Sequence, residues 1–157
     1  MLNKVVIKKT MNPEDGYEDE SRLFKDTVQH KKDVEQVMDI IGEYIKERGR
    51  GHDWTKLAYF DDFARDCLER KDTPDFKSRD WYHIHTLKER HHVNARVPDN
   101  VNFIDLLELM VDCIVAGYAR SGKINYNFMV VSQTIINEAY WNTIRLIEDS
   151  IILDNYE

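Results

Sequence analysis

Residues 103–118 read FIDLLELMVDCIVAGY, and this stretch decides the fold class. Apolar side chains fall nearly all round a helical wheel, so a helix here must be buried against other helices. Pro98 and Asn100 set a loop before it and Ser121-Gly122 ends it near Ala119. Three carboxylates interrupt the run. Asp105, Glu108 and Asp112 stand at i, i+3 and i+7 and therefore share one face. A carboxylate in a packed core costs on the order of several kcal/mol unless it is paired or bound to metal, so something cationic should face that line. Asp105 and Glu108, near the helix start, are read as reaching solvent and favouring the helix dipole. Asp112, in mid-helix, is the candidate ligand.

The flanking sequence is helical too. Phe24, Val28, Val34, Val37, Met38, Ile41, Tyr44 and Ile45 recur at spacings of three and four, and Gly49 and Gly51 end that helix. A second helix starts near Asp53 to Thr55, carries Leu57, Phe60, Phe63, Ala64, Cys67 and Leu68, and ends before Thr73-Pro74. A third segment runs from Lys77 to about His92, and a last helix from Asn127 to Leu153. Residues 1–19 form an arm in which Leu2 to Lys9 alternates weakly, as a short strand or loose segment, and Met11 to Glu20 is acidic. The expectation is an all-α domain of about five helices over residues 20–157, preceded by this arm. No internal repeat or low-complexity tract is present.

Composition narrows the function classes. Apolar residues make up 42% and charged ones 32% of the 157, which predicts a soluble globular chain with its own core. The formal charge of −7 comes without a Lys/Arg block, so duplex nucleic acid is not an expected partner. The Val101 to Tyr118 run is too short and too acidic to span a bilayer, so no membrane is expected. Cys67 and Cys113 lie in apolar helical patterns without CxxC spacing, which predicts reduced, buried thiols in a cytoplasm.

Candidate ligands gather around two histidines. His30 shares a stripe with Val34, Val37 and Ile41, so its imidazole should point inward. A lone inward histidine is usually a hydrogen-bonded core residue. His52-Asp53, however, follows directly after that helix and offers one borderline and one hard donor, a pair suited to Mn²⁺, Fe²⁺, Zn²⁺, Co²⁺ or Ni²⁺. The plain alternative for Asp53 is a helix N-cap.

The order His30, then His52-Asp53-Trp54-Thr55-Lys56, then Asp112 resembles the H…HD…D signature of the HD-domain superfamily of metal-dependent phosphohydrolases. The HDWTKL stretch, the His91-His92-x-Asn94 segment and the 103–113 helix are similar to an uncharacterised HD-like family of phage and bacterial proteins. The resemblance covers about His30 to Arg120. It departs at Arg96-Val97-Pro98, where that family carries a second His pair before the proline.

The resemblance implies an HD-like helical bundle and a roster of roles. His30, His52, Asp53 and Asp112 would hold a first metal ion, with Asp53 able to bridge to a second. The bound ion would activate a water and polarise a phosphoryl oxygen. Lys56 would neutralise phosphate charge, although it is equally an exposed helix lysine. His91 and His92 would face the same pocket only in a loop, because adjacent residues diverge by about 100° on a helix. His92 is taken as a further ligand and His91 and Arg96 as substrate contacts, with Arg90 another anion binder. Trp81, Tyr82, His83 and His85 are read as core, with base stacking the sharper alternative. The implied activity is hydrolysis of a small phosphorylated molecule, a nucleotide or cyclic nucleotide, in a bacterial or phage-infected host cytoplasm. The alternatives are a di-iron oxygenase or a non-enzymatic binding module engaging a host protein or a second copy of itself.

Overall fold

A computed structural model describes residues 4–11, 14, 16–68, 76–124 and 126–154. Its elements are β1 (Val5–Lys8), α1 (Glu20–Gly51), α2 (Trp54–Ala58), α3 (Phe60–Leu68), α4 (Asp80–Lys88), α5 (Phe103–Ser121), α6 (Gln133–Asp149) and β2 (Ile151–Asp154). Short 3-10 turns cover Phe76–Ser78 and Tyr126–Met129. The fold class is all-α, as expected. Among the described residues no helix is long and apolar enough to cross a membrane.

The chain divides into two compact units, residues 1–46 with 144–157 and residues 47–143. In the first unit β1 pairs in parallel with β2, Val5 opposite Ile151 through Lys8 opposite Asp154. The last helix was expected to reach Leu153 but stops at Asp149. Ile151, Ile152 and Leu153 have β-branched or bulky side chains that suit a strand, and β1 supplies the partner. The segment before α1 is tied down as well. The Lys8 amide donates to Asp33 Oδ2 at 3.4 Å, and the Met11 amide and Tyr17 hydroxyl donate to Asp26 Oδ2 at 3.1 and 3.0 Å.

The second unit is built round Val93, Val101, Leu106, Leu109 and Ala139, with Cys113, Val131, Ile135 and Ile136 packed against them. The expected second helix is broken at Tyr59, whose backbone leaves helical geometry between α2 and α3. Its expected end at Thr73-Pro74 lies outside the described residues. The third segment stays helical only to Lys88, because Glu89 turns extended and residues 90–95 form turns. Cys67 is exposed rather than buried, while Cys113 is half-buried, and both are free thiols.

α5 starts in a capping box. Asn102 Oδ1 accepts from the amides of Ile104 and Asp105, and Asp105 Oδ2 accepts from the Asn102 amide. It ends at Gly122, which takes the left-handed conformation at φ 67°. Gly117 admits the returning loop, since a Cβ there would stand 2.7 Å from the Lys123 carbonyl oxygen. One face of α5 carries Asp105 and Glu108, both buried, and Asp112, half-buried.

Candidate metal centre

All the convergent polar residues belong to the second unit. The segment from α1 into α2 supplies His52 and Asp53. Asp53 is the only non-glycine residue with positive φ among those described, at φ 57° and ψ 23°. Aspartate tolerates this conformation better than most residues, yet it still costs on the order of 1 kcal/mol. The N-cap reading of Asp53 accounts for its position and not for its side chain, which makes no capping hydrogen bond. The carboxylate instead points among imidazoles.

Its two oxygens face different neighbours. Oδ1 lies 3.5 Å from His85 Nε2 and 3.8 Å from His91 Nε2. His92 Nε2 completes this side, 2.6 Å from His85 Nε2. Oδ2 lies 3.5 Å from His52 Nε2, which is 3.4 Å from Asp112 Oδ1. Within each group, Asp53-His85-His91-His92 and His52-Asp53-Asp112, one donor atom per residue lies within 4.8 Å of all the others. A tetrahedral ion with ligands at about 2.0–2.2 Å needs donors about 3.3–3.6 Å apart, a spacing the Asp53 contacts approach and the 2.6 Å His85–His92 contact would have to open to reach. The Lys56 ammonium is hydrogen-bonded to Asp53 Oδ2.

The Nδ1 atoms of His52, His91 and His85 are held by oxygen acceptors. Glu108 Oε1 lies 3.0 Å from His52 Nδ1 and 3.1 Å from His91 Nδ1. A carboxylate accepts from an N–H at both, which leaves the two Nε2 atoms to face Asp53. Glu108, His52 and His91 form a third close group, but hydrogen bonding already explains it. On the other side Thr55 Oγ1 lies 2.6 Å from His85 Nδ1 and donates to Glu89 Oε1 at 2.7 Å. Trp81 stacks on the His85 ring with centroids 4.9 Å apart and both are buried, whereas Tyr82 is half-buried and His83 exposed, so only Trp81 and His85 of the aromatic run are core.

Electrostatics suit the imidazole-rich side to a cation. Burial pushes His85 down to about 4 and His92 down to about 3, which favours neutral rings, and their Nε2 atoms share a hydrogen bond at 2.6 Å in which one ring donates. His52 goes the other way, up to about 10, because its ring hydrogen-bonds Asp112 and Glu108. Burial alone would raise the Glu108 carboxyl, but hydrogen bonds to His52 and His91, with the charges of His91 and Arg48, hold it at about 2. Asp112 is lowered by its hydrogen bond to His52. Two buried atoms, Asp53 Oδ1 and His91 Nε2, make no hydrogen bond at all. Orphaned buried polar atoms are costly, and facing each other across the imidazole group they fit a cation between them.

Two expectations for α5 need correcting. Asp105 and Glu108 do not reach solvent: Asp105 is 0% exposed and Glu108 8%. Asp105 is clamped by Arg90, with Nε to Oδ1 at 2.8 Å and Nη2 to Oδ2 at 2.7 Å, and Arg48 stands 3.4 Å away. The cationic partners that the helix demanded are therefore arginines at its start and histidines further along. Arg90 is engaged here and at Asn100, so its guanidinium is structural. Arg96 is exposed, donates to the Leu87 carbonyl at 3.3 Å and lines a polar cleft of about 240 Å³ with Thr86, Arg90 and Asn100. His91, expected as a substrate contact, is wholly buried among the donor groups, and His92, expected as a ligand, lies in a group that could hold a metal ion.

His30 is not brought into this centre. It lies in the first unit, exposed on α1, and enters none of the metal-capable groups found among the described residues. Replacing His30 with Ala should leave the metal-to-protein ratio at the wild-type value, which elemental analysis of the two purified chains will measure.

His52, Asp53 and Asp112 do converge, whereas His85, Glu89 and Glu108 were not read as parts of a centre. Glu108 carried a usable signal, its place on the Asp112 face. His85 lay inside an aromatic run that reads as core, and only the turn after Lys88 folds His91 and His92 back toward it. No protein family, curated protein or solved structure matched the chain.

Proposed function

We propose that this chain is a metal-dependent phosphohydrolase acting on a small phosphorylated molecule, with two adjacent metal positions bridged by Asp53. The observation that carries the reading is the division of the Asp53 carboxylate, Oδ1 toward His85, His91 and His92, Oδ2 toward His52 and Asp112. Paired positions of this kind suit hydrolysis at phosphorus, because bound ions lower the pKa of a water and stabilise charge on attacking and leaving oxygens. The mixed imidazole and carboxylate donors fit Mn²⁺, Fe²⁺, Co²⁺, Ni²⁺ or Zn²⁺.

The chain's own residues do the rest. Asp53 and Asp112 offset the cationic charge, and the Glu108 hydrogen bonds hold His52 and His91 with Nε2 forward. Lys56 is salt-bridged to Asp53. Once that oxygen is engaged elsewhere, its ammonium is available to a phosphate oxygen. Lys56→Ala should therefore lower kcat/KM by about 10–100-fold, near the size of one lost charge-assisted contact, while the bound-metal content stays constant. A parallel loss of metal would place Lys56 in the centre's assembly instead of in substrate binding.

The decisive assay incubates metal-stripped protein with Mn²⁺, Co²⁺ or Ni²⁺ and a panel of nucleoside phosphates, cyclic nucleotides and simple phosphate esters. Phosphate release that disappears in His52→Ala supports the reading. Silence across the panel from a protein that does hold metal removes it. Uptake of oxygen by an iron-loaded sample would favour an oxygenase on the same residues.

A further inference from the structure

Resting on the two-position reading, we propose that Thr55 is the positioning residue of the imidazole-rich position alone, passing the Glu89 carboxylate's hold to His85. Thr55 is 0% exposed and Glu89 5%, so neither is placed to meet substrate. A threonine hydroxyl has one proton to give. Here it goes to Glu89 Oε1 at 2.7 Å, and the same oxygen accepts the Thr55 amide at 2.9 Å. With that proton committed, Oγ1 can only accept at its 2.6 Å contact with His85 Nδ1. His85 must then carry its hydrogen on Nδ1, and its Nε2 lone pair accepts the 2.6 Å hydrogen bond from His92 Nε2, 3.5 Å from Asp53 Oδ1.

Glu89 does not reach the imidazole itself. It leaves α4 just past the last turn and meets the start of α2, so the hydroxyl bridges a gap the carboxylate leaves. His52 and Asp112, on the other side of Asp53, make no hydrogen bond to Thr55 or Glu89. Their imidazole is held by Glu108. Glu108 holds His91 as well as His52 and so serves both positions, whereas Thr55 and Glu89 hold His85 alone, and damage at Thr55 should be selective.

The test titrates metal-stripped full-length chain with Co²⁺, following visible absorption and bound metal by equilibrium dialysis. Wild type should fill two positions, one with the intense bands of a nitrogen-rich tetrahedral ion. Thr55→Val, nearly the same shape without the hydroxyl, should weaken that position by about 10–100-fold and leave the other unchanged, with circular dichroism as in wild type. Thr55→Ser, which keeps the hydroxyl, should restore both affinity and bands. If the valine variant does not fold, Thr55→Ala must give the same selective loss.

Equal Co²⁺ affinity and spectrum in Thr55→Val would overturn the proposal, as would a serine variant as weak as valine or alanine. So would loss at both positions together. A wild type that binds no Co²⁺ overturns the metal reading beneath it, a result distinct from any failure confined to Thr55.

Discussion

Asp53→Asn is expected to empty both metal positions at once, lowering affinity by at least about a hundredfold at each and phosphate release with it. The amide is the same size but carries no charge, and only one of its two terminal atoms can accept. Whichever way it turns, one group loses its shared donor, and both lose the negative charge that offsets an ion. His85, His91 and His92 would remain as three imidazoles, and His52 and Asp112 as a pair. The contrast is Asp112→Asn, which touches only the His52 side and should spare the nitrogen-rich position. Elemental analysis and Co²⁺ titration of both variants measure the difference. If Asp53→Asn keeps either position at wild-type affinity, the bridging role is lost.

The second large effect is one of stability. Arg90→Ala should destabilise the second unit by about 2–3 kcal/mol, because it strips the bidentate partner from a carboxylate with no exposure. The full penalty for breaking a buried pair is about 3–5 kcal/mol, and two features reduce it here. The Arg90 guanidinium is 27% exposed, and Arg48 Nη2 stays 3.4 Å from Asp105. Arg90→Lys keeps the charge without the planar fork and should fall between. Arg96→Ala removes an exposed side chain with a single carbonyl contact and should change stability by less than about 0.5 kcal/mol. Urea titrations of the three variants give these values directly. Should Arg90→Ala match Arg96→Ala, the clamp contributes nothing to folding.

Particular residues show how far the chain could be read before it folded. The α5 boundaries were legible from neighbouring residues, the Pro98 and Asn100 loop before it and Gly122 after it, which easily takes φ 67°, although the capping role of Asn102 emerged only in the structure. The demand for cations opposite Asp105, Glu108 and Asp112 was legible too, since it follows from helical spacing and the cost of burying charge. Which of the three lay deepest was not legible. Asp105 looked like a first-turn residue at liberty in water, and only the return of Arg90 from the turn after α4 made a buried site for it. The C-terminal Ile-Ile-Leu run extends a helical pattern on paper, but a strand of the same composition wins once Val5–Lys8 lies alongside.

The candidate centre divides the same way. His52-Asp53 announced itself by adjacency and donor chemistry, and Asp112 by a carboxylate among apolar side chains. His85, Glu89, Thr55 and Glu108 carry no such local mark. Their roles come from the break in α4 at Glu89 and from the left-handed Asp53, each of which turns side chains distant in sequence toward one point. Local pattern fixed the all-α class, the α5 ends and the acidic face, because periodicity and capping act over a few residues. Tertiary structure alone decided which imidazoles share Asp53, because donor convergence depends on chain reversals whose energy lies in long-range packing.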